Sequence, residues 1–326
     1  MTEKGLTKFI HSRLAATLMF IIVAAASLFA VWMDLIPDFT IETRSLFTNP
    51  EDWFKDPLVS WLADITVCAA CCAVLIFISR NYNPFRLSSS VAPTIFLALL
   101  LGSPSVLKSF YSGTYILAVV VLCIVITLSE YQDSSKIRRV FLTFFILSAG
   151  GIAEYSLLLY IPVFMIGTAQ MRIFSGKTFI AMLLGIITPF WILAGFGFLS
   201  FADFRLPAFE SVFNSFSRQE IIPFVVSGII TFFFSVLLLM MNFLKMVGYN
   251  ARIRSANGLM TATLLATLVY MVLDYRNFPA YIPLMMWGAA FQGGHLLMSK
   301  NGQRTYIAVI GIVILYLYLF IWSILA

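Results

Sequence analysis

Charge is what this sequence has least of. Asp, Glu, Lys and Arg make up 11% of its 326 residues, while 61% are hydrophobic. A soluble chain carries roughly 25% charged and about 45–50% apolar residues, so a water-soluble fold is excluded. Catalytic signatures are missing too: there is no HExxH, no GxSxG and no Walker loop, which removes zincin, nucleophile-elbow and P-loop chemistry. Histidine occurs twice and cysteine four times. Cys68-Ala-Ala-Cys71-Cys72 sits in the middle of an apolar run. It reads as small residues at a helix contact, not as a metal or redox motif. Low-complexity tracts and internal repeats are absent.

What the chain has is apolar length. Segments 14–33, 221–241 and 305–325 are nearly free of charge, and about 20 helical residues cross a hydrocarbon core roughly 30 Å thick. Spans are expected near 14–33, 58–79, 90–107, 114–130, 139–152, 155–170, 178–200, 221–244, 257–273, 281–298 and 305–325. Every backbone polar group in lipid must be paired within its own segment, so these runs are helices. They lack the alternation of a β-barrel. The basic start and Ala24-Ala25-Ala26 resemble a signal peptide, but the run is long and ends in Trp32-Met33-Asp34; it reads as an uncleaved first span.

The net charge of +6 lies at the ends of these runs, where it faces lipid headgroups and not nucleic acid. With the N-terminus inside, fifteen of the 21 Lys and Arg fall on the cytoplasmic side and six (Arg44, Lys55, Lys108, Arg205, Arg218 and Arg276) outside. That asymmetry fits the positive-inside rule. The expected fold is an all-α polytopic transmembrane bundle of about eleven spans, N-in and C-out, forming a single domain over 1–326. The weakest step is 139–170. It is too long for one helix, contains Gly150 and Gly151, and is flanked by basic residues at both ends, so it reads as a short hairpin with Glu154 at its tip.

Polar groups within the hydrocarbon are costly and therefore candidates for function. They are few: Asp64 about one and a half turns into the second span, Glu154, Asn242 and Gln292 near inner ends, and His295 after Gly293-Gly294. Asp64 reads as facing the outer interface, and His295 as bonded to a neighbouring helix. Pro104, Pro162, Pro189 and Pro223 are candidate kinks. The outer loop 201–220 spaces its phenylalanines at helical intervals, the pattern of an amphipathic segment lying along the interface. Six acids crowd the first outer loop, and Asp34 and Asp38 stand where the first span ends. A carboxylate there can act as general base toward an acceptor hydroxyl, or help hold a divalent metal beside a lipid pyrophosphate.

The layout from 14 to about 200 resembles the GT-C superfamily of polytopic glycosyltransferases, which use polyprenyl-phosphate sugars. The resemblance rests on three stretches: Ser90-Val91-Ala92-Pro93 through Gly102-Ser103-Pro104, Ala149-Gly150-Gly151-Ile152-Ala153-Glu154 through Ile161-Pro162, and Leu184-Gly185-Ile186-Ile187-Thr188-Pro189. It implies a GT-C-like core over 14–200, additional spans over 201–326, and Asp34 or Asp38 in the catalytic-base position with Glu154 nearby. The loop opens with Asp-Leu where that family often has Asp-Glu, and Glu154 stands where its hairpin often carries Lys. Over 149–195 the chain is also similar to a family of bacterial inner-membrane proteins without an assigned activity. The function so expected is work on a lipid-linked sugar at the outer face of a bacterial inner membrane, in cell-envelope assembly. The alternatives are a non-enzymatic membrane subunit with a membrane-protein partner and, third, a transporter.

Overall fold

The computed structural model describes residues 9–33, 50–82, 90–133, 137–198, 222–245, 248–297 and 305–325. Among them the chain is helical throughout, with no strand. The helices are α1 (Arg13–Trp32), α2 (Pro57–Tyr82), α3 (Val91–Leu101), α4 (Ser112–Leu128), α5 (Ile137–Ala153), α6 (Ile161–Gln170), α7 (Gly176–Gly195), α8 (Ile222–Lys245), α9 (Ala251–Leu273), α10 (Phe278–Leu297) and α11 (Thr305–Leu325). Short 3-10 turns lie at Pro50–Trp53, Pro104–Leu107, Tyr155–Tyr160 and Tyr275–Asn277. Six helices (α1, α2, α7, α8, α9 and α11) are long and apolar enough to cross a membrane.

α3 and α10 form the centre. Every residue of α3 is buried, and so is every residue of α10 from Pro279 to Leu296. α10 packs against α3, α8, α9 and α4. α3 is only 11 residues long, about 16 Å at helical rise. Protein surrounds it on all sides, so lipid does not set its length. The same enclosure explains how α10 carries Pro283, Gln292 and His295 without reading as a strongly apolar span. α11 is the reverse: its lipid-like faces stay exposed, and Tyr316 and Leu319 turn inward.

Local chemistry sets the helix ends. Ser175 and Thr178 form a capping box at the start of α7: Ser175 Oγ accepts from the Thr178 N–H at 3.3 Å, and Thr178 Oγ1 accepts from the Ser175 N–H at 2.7 Å. Two donors that the helix cannot pair are thus satisfied. Of the four prolines expected to kink helices, only Pro189 lies inside one; Pro104, Pro162 and Pro223 open their turns or helices, where the missing N–H costs nothing.

Helices are tied together by single hydrogen bonds. Trp61 Nε1 donates to Ser27 Oγ at 3.0 Å, Trp287 Nε1 to the Cys71 carbonyl at 3.2 Å, and Ser148 Oγ to the Ile186 carbonyl at 2.6 Å. Ser103 meets Ser227, and Thr231 meets Tyr316, each at 2.7 Å. An amide junction joins α8, α9 and α10. Asn242 Nδ2 donates to Asn257 Oδ1 at 2.9 Å and to Gln292 Oε1, and Gln292 Nε2 donates to Thr261 Oγ1 at 3.1 Å. The cysteines Cys68, Cys71 and Cys72 lie on the buried face of α2.

The chain reverses alternately at two ends. One end gathers the Tyr82 hydroxyl on the Leu128 carbonyl, Arg252 stacked 5.2 Å over the Tyr82 ring, and Gln132 on the Met171 carbonyl; this end is rich in Arg and Lys. The other gathers Pro50–Trp53, the start of α4, the α5–α6 turn and Tyr275–Asn277; this end is rich in Asp and Glu.

Two glycines set how closely helices approach. A Cβ on Gly294 of α10 would lie 2.6 Å from Ala92 Cβ of α3, and one on Gly185 of α7 would lie 2.6 Å from the Phe141 carbonyl oxygen of α5. The second neighbour is backbone and cannot rotate away. We expect Gly185→Leu to destabilise the α5–α7 pair by about 1–3 kcal/mol, the usual cost of overpacking. The check is thermal unfolding in detergent, with exposed Leu183→Val as the neutral control. Equal melting temperatures for Gly185→Leu and wild type would refute the close crossing.

Candidate functional site at the acidic end

The site is assembled by three reversals meeting at one end of the bundle. Pro50 opens a 3-10 turn that carries Glu51, Asp52 and Trp53. Pro in the first position suits a helix start, and acids in the first turn face its positive end. Trp53 fixes this turn on α4. Its ring stacks on Phe110 at 6.0 Å and meets Tyr115 edge-on at 5.2 Å, while Phe54 packs edge-on against Phe110 at 5.5 Å. Trp53 itself is 42% exposed, so these rings form a shelf open on one side.

Beside the shelf, α5 ends at Ala153 and the chain turns through Glu154 into Tyr155–Tyr160. Glu154 caps that turn. Its Oε1 accepts from the Ser156 N–H at 3.2 Å and the Ser156 Oγ at 2.7 Å. The side chain is 2% exposed. The hairpin tip therefore draws Glu154 inward: a cap at a buried turn needs the carboxylate more than solvent does. Ser156 Oγ also accepts from Asn277 Nδ2 at 3.4 Å. Asn277 is buried and its Oδ1 has no hydrogen-bond partner. Nearby, the Tyr281 hydroxyl donates to Asp274 Oδ2 at 2.9 Å. Chain ends of α5 and α9, the start of α10 and the Pro50–Trp53 turn thus converge on one polar cluster.

Glu51 is strongly altered by this setting. Burial pushes its carboxyl up to about 7, and the carboxylates of Asp52 and Glu154 push in the same direction. A carboxyl that changes charge near neutrality is suited to proton transfer. Among the described residues no three His, Cys, Asp or Glu side chains are arranged to hold a metal ion; Glu51 and Glu154 alone make too few ligands for a divalent cation. The aromatic rings and acids are instead suited to hydroxyl-rich ligands, which need acceptors and flat apolar faces.

Of the residues expected from sequence, Glu154 lies in this cluster, and Asp34 and Asp38 lie outside the described residues. Asp64 faces protein: it is fully buried beside Thr114. His295 has no hydrogen bond at Nε2 and instead packs against Tyr249 and Phe291 at 5.0 and 6.0 Å between ring centres, since aromatic neighbours surround it and no acceptor does. Glu51, Trp53, Asn277 and Tyr281 were not singled out by sequence. For Glu51 a signal existed in Pro50-Glu51-Asp52, which has the form of a helix start.

The raised Glu51 carboxyl has a definite consequence for stability. The folded state prefers the protonated form more than the unfolded chain does, so the stabilisation is full at acid pH. It is lost as pH rises from the ordinary Glu value of 4.5 through about 7. Glu51→Gln removes this loss. Between about pH 5 and about pH 8 the melting temperature of wild type should therefore fall relative to that of Glu51→Gln, leaving the variant the more stable at the alkaline end; parallel curves would contradict it. No family model, no curated protein and no solved structure matches this chain, so its function is argued from this geometry.

Proposed function

We propose that the chain crosses the bilayer of a bacterial inner membrane eleven times, N-terminus inside, and acts at the acidic outer end on the polar head of a polyprenyl-phosphate-linked sugar in cell-envelope assembly. The six long apolar helices support the membrane setting. The five other helices fit as further crossings because they pack within protein. Fifteen basic residues on one side against six on the other support the orientation.

The observation that carries the functional reading is the convergence of Glu51 and Glu154 from two separate reversals beside the Trp53–Phe110–Tyr115 shelf. A sugar ring has an apolar face for the aromatic shelf and hydroxyls for the carboxylates. The lipid tail would lie along the exposed apolar helices. In its enzymatic form this is glycosyl transfer of the GT-C type. One carboxylate accepts the proton of an acceptor hydroxyl as that oxygen attacks the anomeric carbon, and the lipid phosphate departs. Asp34 or Asp38 is the base implied by the resemblance; Glu51, at the acidic end, titrates in the useful range.

One observation favours a second reading. Glu154 is almost fully buried and its Oε1 is held by Ser156, which is what a structural cap does. A bundle whose central acid is a cap fits a non-enzymatic subunit of an envelope assembly equally well in that respect.

Native mass spectrometry of the protein, gently extracted from its own membrane, separates the two. Bound polyprenyl phosphate, with or without sugar, is the expected result. Glu51→Gln and Trp53→Ala should each lower its occupancy at least about tenfold, the effect of about 1.4 kcal/mol of binding energy. Bulk phospholipid alone together with a stoichiometric protein partner overturns the sugar reading and establishes the subunit.

A further inference from the structure

Asp64 is a fully buried acid that the acidic-end cluster does not use, and its surroundings set it apart. It lies on α2, fully buried. Thr114 Oγ1 of α4 donates to its Oδ1, and its Oδ2 has no hydrogen-bond partner. One turn earlier on the same face, Ser60 Oγ accepts the Phe110 N–H at 2.9 Å. The titratable groups acting on this region are Cys68 and Cys71 of its own helix and Tyr111 at the start of α4; all are neutral when protonated.

Lys55 just before α2 and Lys108 just after the Pro104–Leu107 turn are the basic residues closest in sequence to this region, yet the side-chain partner of Asp64 is Thr114 and no cation pairs with it among the described residues. α3 and the Pro104–Leu107 turn contain no titratable side chain, α4 has only Tyr115 and Cys123, and α10 only Tyr281 and His295. α1 contributes Arg13, and α9 contributes Arg252, Arg254 and Tyr270. Those three arginines, like Arg80 of α2 itself, belong to the opposite end; Arg80 is about 24 Å along the helix from Asp64 at 1.5 Å per residue. A carboxyl sealed in a low-dielectric interior without a cationic partner must be neutralised by something small. An ionisable residue kept inside a membrane bundle at such cost is a functional site by default.

The surroundings also give a direction of access. Tyr111, whose hydroxyl donates to the Pro279 carbonyl at 3.2 Å, and Phe110, whose N–H donates to Ser60, join the α2 face that carries Asp64 to the acidic end, and Tyr111 lies within electrostatic reach of both Asp64 and Glu51. We propose that Asp64 is an exchangeable small-cation site, filled from the acidic end by a proton or by a sodium ion. A proton would sit on the unpartnered Oδ2. A sodium ion would take Oδ2 and the neighbouring hydroxyl oxygens of Thr114 and Ser60, the hard oxygen donors such an ion requires. The site is independent of the sugar reading: loss of lipid-linked sugar binding leaves it standing, and the reverse.

The test is labelling of the full-length protein in native membranes with dicyclohexylcarbodiimide, which adds to protonated carboxyls in apolar surroundings, followed by mass spectrometry of the α2 peptide. The expected result is an adduct on Asp64 that falls about tenfold for each pH unit above its midpoint, as a single titrating site requires. Sodium at constant ionic strength, exchanged against choline, separates the occupants: protection by sodium identifies a sodium site, and indifference to sodium with the pH dependence retained identifies a proton site. No adduct on Asp64 at any pH, or an adduct indifferent to both pH and sodium, overturns the proposal. The measurement is made on wild type, so it does not depend on whether Asp64→Asn, which serves only as the blank, folds.

Discussion

Everything in this bundle depends on the requirement that polar groups taken out of water find partners inside the protein. It makes the apolar runs helical, and it decides which helices may be imperfect. α3 is too short and α10 too polar to stand alone in lipid, yet these two sit at the centre, each enclosed by the others. The long helices α1, α8 and α11 keep one apolar face exposed, where lipid would accept them, while α8 turns Ser227, Thr231 and Asn242 inward. Polar side chains inside follow the same rule. Asn242, Asn257, Gln292 and Thr261 answer one another across three helices, and Glu154 ends a helix by capping the turn after it.

Where the rule is obeyed only in part, chemistry becomes available. Asn277 keeps one free acceptor and Asp64 one free oxygen, both out of solvent. Glu51 is held near neutrality by burial and by two like charges. All three sit in the half of the molecule toward the acidic end, although the opposite half also holds unsatisfied atoms, at Gln170, Asn242, Asn257 and His295. That division gives the molecule a working end and a holding end. The aromatic shelf at the first, and the stacking of Arg252 on Tyr82 at the second, express the difference in side-chain terms.

The helices themselves were largely legible in the residue order, because length and lack of charge are enough to locate a lipid-crossing run. The break at Gly150-Gly151-Ile152-Ala153-Glu154 also fell where α5 ends. What could not be read was depth. Asp64 stands one and a half turns from the start of α2, where the residue order does not say which face it takes; the packing of α4 on that face, through Thr114, buries it. Likewise nothing near His295 in sequence announces Tyr249, which comes from the loop before α9. Glu51 was one acid among six in its loop, and its electrostatic coupling to Glu154 reaches over about a hundred residues, invisible to any local pattern. Asp34 and Asp38, read from the residue order and from resemblance, fall outside the described residues.

The central position of α10 has a consequence for how the chain comes into being. α3 is made early and α10 late, with nearly two hundred residues between them, yet each fills the other's groove, and Gly294 admits Ala92 at backbone range. During synthesis α3 must wait, short and unmatched, while α4 to α9 are made around the gap that α10 will close. Compaction is therefore a late event, governed by non-local pairing and not by the order of insertion. A chain cut short before α10 would hold most of its helices and no centre.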